Sequence, residues 1–462
     1  MFDIAEPRRD EPVVAIVGGG ASGTLTAVHA LRRGGRPPRF VMIDKDGRHG
    51  LGQAYATTDP RHLLNACASR MSAVADDPDH LMRWARSRGL DATDTDYLPR
   101  RLYGEYLRSV LEEARAPWPD GQVTELTGTV VSLRPGERPV LGLADGRTVE
   151  ADAVVLATGN RPPAAWPHVR AGDRYVPDPW APGALDGRGD GSPVLIVGTG
   201  LTMVDLAVTL TGAHPDTVVH AVSRHGLLPA HHRCPQPPPV RIPIPEGPLT
   251  LAALMRAIRA AVNASGGEWH AIVDGLRPRV PSLWDRLPAG DRRRFLSLAA
   301  RYWEVHRHRI PPETAARVEE LRASGRLRVL RGSLASATAH GHGVLARLDT
   351  PEGPHELRVG HIVNSTGPSH DLRTDPLLNS LFTSGAARPD PLGLGLDAAP
   401  DGAVLDAAGR PHERLFTLGP PLRGLRYETT AVPEIREQAA ALASRLSELT
   451  AESGRDRLAQ PL

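Results

Sequence analysis

Twice in this chain a short apolar run stops at a glycine-rich turn, and a helical pattern of small residues begins. The first copy is Val13-Val14-Ala15-Ile16-Val17 followed by Gly18-Gly19-Gly20-Ala21-Ser22-Gly23. The second is Val194-Leu195-Ile196-Val197 followed by Gly198-Thr199-Gly200-Leu201-Thr202-Met203. In such a turn the first glycine permits the sharp exit from the strand. The second leaves no Cβ between the backbone and a pyrophosphate, and the third lets helix and strand pack closely. The helix N-terminus then faces the anion with free N–H groups and a partial positive charge. Two such turns imply an α/β chain with two Rossmann-like dinucleotide-binding domains. FAD is expected on one and NAD(P)H on the other.

The first copy has every part of the fingerprint. An acid is expected about twenty residues past the turn, at the end of the second strand, to bond a ribose hydroxyl. Asp44 stands there, after Phe40-Val41-Met42-Ile43. The second copy departs, with Met203 in the third glycine's place. Its own second strand, Val218–Val222, ends in Ser223-Arg224 with no acid. A carboxylate there would repel a 2′-phosphate and an arginine would pair with it, so NADPH is favoured over NADH. Read without that context, Arg224 is a solvated loop cation.

Composition excludes more than it assigns. The 462 residues suffice for two to three domains. With 55 basic against 53 acidic side chains, net charge is +2, and there is no global pull toward nucleic acid or a membrane surface. The two cysteines, Cys67 and Cys234, are too far apart in sequence to form the closely spaced redox pair of disulfide reductases. His231-His232-Arg233-Cys234 is weighed as a metal cluster and set aside, because adjacent side chains point different ways; no metal is expected. No apolar run reaches membrane-spanning length, and Met1–Pro12 lacks a signal-peptide core, so a soluble cytoplasmic protein is expected. A homodimer is left open.

Along the chain, residues 13–46 read as a βαβ unit. A loop rich in small and polar residues follows to Ser72, then helical spacing at 79–88 and 102–114. Strands are expected at 130–133, 140–143 and 149–156, with Asp145-Gly146 as a hairpin turn. The last strand runs into Ala157-Thr158-Gly159. A second strand, Ile362-Val363-Asn364, runs into Ser365-Thr366-Gly367 and completes a weak internal repeat. Residues 249–326 read as a mostly helical insertion containing Trp269, Trp284 and Tyr302-Trp303, either a lid or substrate pocket or simply an aromatic helical core. A long amphipathic helix closes the chain. These signals divide it into an FAD-binding domain (12–160 plus 355–462), an NAD(P)H-binding domain (190–248 plus 326–354) and a helical insertion (249–325).

The order of motifs adds a resemblance. The first turn is followed by Gly52-Gln53-Ala54-Tyr55, Leu63-Leu64-Asn65 and Ala157-Thr158-Gly159. Then come Gly198-Thr199-Gly200-Leu201-Thr202-Met203-Val204-Asp205, the run Ser223–Pro229, Trp303 with His306-Arg307-His308-Arg309, Ser365–Pro368, and Glu428–Arg436. The series resembles a bacterial FAD/NAD(P)-binding family that includes aspartate N-hydroxylating flavoproteins. It spans roughly Val13 to Leu446. The resemblance implies that Gly18, Gly20, Ser22, Gly23 and Asp44 hold the FAD pyrophosphate and ribose. Gly159 and Gly367 would close the two sites, and Gly198, Gly200, Thr202 and Arg224 would hold NADPH.

Asn65 is similar to the asparagine that class B flavin monooxygenases place near the flavin to contact nicotinamide or peroxide, and is the expected catalytic residue; read locally, it is an Asx-turn residue. Gly419 stands where many flavoproteins carry a Gly-Asp pair on the ribityl chain, although Pro420 replaces the acid. Thr429 and Thr430 open the last helix, whose N-terminus is expected to point at flavin O2. The stretch Val169–Tyr175 lacks the linker motif of the ketone-oxidising class B enzymes, which disfavours that chemistry.

The implied activity is FAD-dependent, NADPH-reduced oxygen insertion through a C4a-hydroperoxyflavin, N-hydroxylating an amine or amino acid with O2. The cofactor carries the chemistry, so no catalytic triad or paired carboxylate is required. An amino-acid substrate calls for an arginine clamp, with Arg233, Arg307, Arg309 and Arg426 as candidates. The alternatives are an NADPH-dependent flavin oxidoreductase without oxygen insertion, and a non-catalytic flavin-bound protein.

Overall fold

A computed structural model describes residues 11–119 and 121–459, with side chains as far as residue 450. Most of the N-terminal stretch on which the lack of a signal core was read lies outside the described residues. The chain divides into two compact units. One holds the described residues up to Thr58, Ala66–Asn160 and those from Asp371 onward; the other holds Asp59–Asn65 and Arg161–His370.

The first unit is built on a six-stranded sheet. Its order is Ala403–Leu405, Pro411–Thr417, Ala153–Leu156, Val13–Val17, Arg39–Asp44, Val123–Thr127, parallel throughout except at the Ala403–Leu405 edge. Both central strands are buried along their whole length, which is why they read as unbroken apolar runs rather than alternating ones. The helix Ala21–Arg32 leaves the first turn and packs against the C-terminal helix Val432–Ala459 and the helix Arg100–Arg115. Nearly all of it is buried, and its first turn is made of the small residues Ala21, Ser22, Gly23 and Thr24. The expected hairpin forms within an antiparallel meander of Val130–Arg134, Val140–Leu143 and Thr148–Glu150, where Gly146 takes φ +87°. Leu133, Leu141 and Leu143 of the meander share a core with Leu378 and Leu381 of the helix Pro376–Thr383.

The second unit repeats the plan with five parallel strands in the order Leu327–Arg331, Val219–Ser223, Val194–Val197, His361–Asn364, Tyr175–Val176. A four-stranded sheet of Gly353–Val359, Gly343–Thr350, Ser333–His340 and Val169–Arg170 accompanies it. Helices occupy much of 251–323. The last of them, Pro312–Ala323, places Val318 and Leu321 in one core with Met203, Leu206 and Leu210 of the helix Leu201–Ala213.

Three assignments differ from expectation. The domain limit at 355 is corrected to 370, because Gly353–Val359 pairs with Gly343–Thr350 and His361–Asn364 lies beside Val194–Val197 in the second unit. The helix Pro312–Ala323, inside the expected insertion, packs into the core of the second unit and leads to the strand Leu327–Arg331. Residues 59–65 leave the first unit altogether and belong to the second. The short strands at 169–170 and 175–176 fall inside a Pro/Gly-rich stretch that reads from sequence as a mere crossing.

Candidate functional site

Gly18 has φ +115°, and a Cβ there would lie 2.2 Å from the Ala157 carbonyl oxygen. Its N–H donates to the Ile43 carbonyl at 2.8 Å, and Ala157 N–H donates to Val17 at 2.9 Å. The turn is thus held between both neighbouring strands. Gly23 permits the close helix–strand contact: a Cβ would meet the Gly18 oxygen at 2.1 Å and Ile16 Cγ2 at 2.9 Å. Gly20 caps the helix with ordinary backbone, φ −77°. A Cβ on Gly20 would find Gly52 Cα first, at 3.4 Å. Asp44 Oδ2 accepts from Gly19 N–H at 3.1 Å, while Oδ1 accepts from Asp46 and Arg48 N–H, both at 3.0 Å. The carboxylate is therefore oriented by three backbone donors, with lone-pair capacity left for a ribose hydroxyl.

The second turn reproduces this geometry almost number for number. Gly198 has φ +116°, and its Cβ would lie 2.3 Å from the Ser365 carbonyl oxygen. Gly198 N–H donates to Val222 at 2.8 Å, and Ser365 N–H donates to Val197 at 2.8 Å. Gly200 caps the helix at φ −85°, and a Cβ there would meet nothing within 4 Å. The departure at Met203 is accommodated by burying its side chain completely in the core. Thr202 is half-buried in the first helical turn, and Arg224 is exposed at the end of its strand.

Both cradles fit a dinucleotide on steric grounds. The tight positions are closed by backbone in both turns; Gly200 is open, and Gly20 has ordinary van der Waals contact with Gly52. Gly159 and Gly367, at φ +67° and +82°, also show nothing within 4 Å of a Cβ.

Other expected residues are placed less simply. Gly419 has φ +72°, with its Cβ position 2.7 Å from Ser22 Oγ, so it closes over the first helical turn. Thr429 is fully buried and its hydroxyl donates to the Gly419 carbonyl at 3.1 Å. Gln438 completes the clasp, accepting from Gly419 N–H and donating to Thr429 Oγ1, each at 2.9 Å. Thr429 is thereby corrected from a cofactor contact to a brace for Gly419. Thr430 is exposed just ahead of the last helix.

Asn65 is exposed. Its carbonyl accepts from His232 Nε2 at 2.9 Å, and its side-chain amide makes no hydrogen bond among the described residues, so the local Asx reading is not realised.

The four arginines do not form one clamp. Arg309 is corrected: it is buried, ion-paired with Asp274, and lies 5.9 Å over the Trp269 ring. It holds the insertion together and is not available to a substrate. Arg233 is exposed and engaged by Glu268, which also accepts from His270 N–H at 3.0 Å. Arg307 is half-buried at the end of the helix Ala300–Arg307, and Arg426, in the first unit, donates to the Pro400 carbonyl. Among the described residues no group of three His, Cys, Asp or Glu could hold a metal, and no helix is long and apolar enough to cross a membrane.

The sequence reading missed Gly19, Gly52 and Gln438. A Cβ on Gly19 would collide with Asp44 Cβ at 2.9 Å and with the buried His49 ring at 2.8 Å. Gly52 takes φ +54° so that its loop can approach Gly20, to 2.7 Å for a Cβ. The run of three glycines and the Gly52-x-Ala54-Tyr55 motif were the available signals. Gln438 had none.

Residues 15–161 match the FAD-NAD(P)-binding family model. The chain is distantly homologous to the L-aspartate N-monooxygenase (nitrosuccinate-forming) of Streptomyces cremeus, 30% identical over 249 residues, 42% of this chain and 36% of that protein. Matched stretches span 36–48% of the length of such curated relatives, so the chain spans less than half of them. Its fold is that of an ornithine N-hydroxylase from Kutzneria sp. 744, with TM-score 0.61 and 15% identity over 95% of this chain and 99% of that one. It is equally that of L-lysine 6-monooxygenase from Pseudomonas syringae, with TM-score 0.64 and 16% identity over 94% and 99%. The chain has the two-sheet α/β architecture of FAD- and NAD(P)-binding oxidoreductases and resembles the N-hydroxylating monooxygenases among them.

Proposed function

We propose that the chain is an FAD-dependent, NADPH-reduced monooxygenase that N-hydroxylates an amine or amino acid. The observation that carries this reading is the duplicated cradle, two glycine turns with φ +115° and +116° pinned by equivalent strand ends. One nucleotide site would serve many functions; two of matching geometry serve a chain that passes reducing equivalents between coenzymes. The similarity to amine and amino-acid N-hydroxylases supports the choice of oxygen acceptor.

In this reading Gly18, Gly20, Ser22, Gly23, Asp44 and Gly159 hold FAD, with Gly419 braced by Thr429 and Gln438. Gly198, Gly200, Thr202, Gly367 and Arg224 hold NADPH. When bound, flavin supplies hydride acceptance and oxygen activation. The protein's part is to bind, orient and keep water out. Asn65, its carbonyl held by His232, offers a free amide for the nicotinamide. An amine reacts through its lone pair, so the pocket must favour the unprotonated form by desolvation or a base. Arg233, Arg307 and Arg426 remain candidates for a substrate carboxylate.

The test is NADPH consumption by the FAD-loaded protein across amino acids and small amines, with hydroxylamine and hydrogen peroxide measured together. The expected result is one substrate class that raises hydroxylamine at the expense of peroxide. Peroxide equal to NADPH consumed with every amine would replace this reading with an oxidase or dehydrogenase. No reduction by NADPH would leave a flavin-bound protein without this activity.

A further inference from the structure

Among the described residues three large apolar side chains stand exposed: Val240 at 45%, Leu298 at 70% and Tyr302 at 51%. Two of them belong to the helical insertion and lie four residues apart, where the π-helical turn Phe295–Ala299 meets the helix Ala300–Arg307. The Tyr302 ring lies 6.0 Å from the ring of His225. His225 follows Arg224 directly, in the turn that ends the second strand of the NADPH cradle.

A second arginine reaches the same turn. Ser223 is in register with Arg331 on the adjoining parallel strand, and Gly332 N–H donates to the Ser223 carbonyl at 2.9 Å. A Cβ on Gly226 would touch Arg331 Cβ at 3.5 Å. Arg224 and Arg331 are both exposed, and neither is in an ion pair among the described residues. Two arginines on adjoining strand ends, neither ion-paired among the described residues, leave positive charge that an anion would neutralise. The turn is locked to the cradle: Ser223 Oγ lies 2.8 Å from Thr199 Oγ1, whose own proton goes to the Leu227 carbonyl at 2.6 Å.

We propose that Arg331 joins Arg224 in holding the 2′-phosphate of NADPH, and that Tyr302 stacks on the adenine. The insertion is then part of the coenzyme site. This deepens the reading of the second turn as the NADPH site and rests on it. Guanidinium forks match phosphate oxygens, and an aromatic face accepts a purine without reading its edge.

The test is calorimetric titration of the full, FAD-loaded protein with NADPH, NADH, adenosine 2′,5′-bisphosphate and AMP. Arg331→Ala is expected to weaken NADPH and the bisphosphate about 10-fold while leaving NADH and AMP within about 2-fold, and Arg331→Lys to restore part of the loss. Tyr302→Ala is expected to weaken bisphosphate and AMP alike by about 10-fold, and Tyr302→Phe to bind as the wild type does. Both side chains are exposed, so unchanged melting temperature and flavin content accompany these results. Wild-type NADPH binding with Arg331→Ala unaffected, or with NADH and NADPH weakened equally, overturns the arginine's role while the cradle stands. AMP binding unchanged in Tyr302→Ala overturns the stacking. A wild type that binds none of the four removes the cradle reading and this inference together.

Discussion

At the scale of single residues, the glycines separate into those the backbone needs and those a ligand needs. Gly18 and Gly198 cannot take a side chain without unfolding the turn. Gly20 and Gly200 have ordinary negative φ values and room for a Cβ. Substitution there tests the ligand and spares the fold. Gly20→Glu is expected to yield folded, colourless protein, because the new carboxylate fills the pyrophosphate approach and repels it; the ratio of flavin to protein absorbance reads this. Gly200→Glu is expected to stay yellow and to resist anaerobic reduction by NADPH at concentrations that reduce the wild type fully. Arg309 gives the contrasting case. Breaking its buried pair with Asp274 by Arg309→Ala should cost about 3–5 kcal/mol, visible as a lower denaturation midpoint, whereas a substrate clamp would raise KM at constant stability. The glycines were legible because their role is local backbone geometry. Arg309 was not, because Asp274 lies 35 residues away and no local pattern joins them.

At the scale of elements, the segment Asp59–Asn65 is the least legible part of the molecule. It lies in the longer stretch up to Ser72 that reads as loop, and nothing local says which unit it joins. The structure anchors it to the helix Leu201–Ala213: Thr209 donates to Asp59 Oδ2 at 2.7 Å, and His62 Nε2 lies 2.8 Å from Thr209 Oγ1. Burial alone would raise the Asp59 pKa, but hydrogen bonds from Arg61 and Thr209 outweigh it and hold the carboxyl well below the usual range. A depressed folded-state value adds stability above the unfolded pKa of about 3.9, and that stability is lost as pH falls toward the folded value. Asp59→Asn is therefore expected to cost about 2 kcal/mol at pH 7. The gap to the wild type should narrow steadily below about pH 4, as urea titrations at several pH values would show. A gap constant with pH would mean that the hydrogen bonds do not depend on the charge. The limit at 355 was misplaced for a related reason. The sequence pattern marks strands at His355–Val359 and Ile362–Asn364, but which sheet each enters depends on pairing with residues far away in sequence.

At the scale of the whole molecule, the sequence disclosed the duplication because each copy must repeat the same strand, turn and helix to bind the same kind of group. What it left out is how each sheet is completed. One gains Pro411–Thr417 and an antiparallel edge, the other gains Tyr175–Val176 and a crossover helix taken from the insertion. Each unit has its own buried core, and each cradle is formed wholly within its unit. Ligand stabilisation should therefore divide along the same line. A ligand at 100 times its Kd stabilises the native state by about 2.7 kcal/mol, or roughly 5–10 °C in Tm for a unit of this size. Starting from flavin-stripped protein, FAD and adenosine 2′,5′-bisphosphate should each raise Tm in the wild type. Gly20→Glu should lose the FAD shift and keep the bisphosphate shift; Gly200→Glu should do the opposite. If either substitution abolished both shifts, the two turns would not be separate sites, and the duplication would be a feature of the fold without two coenzymes behind it.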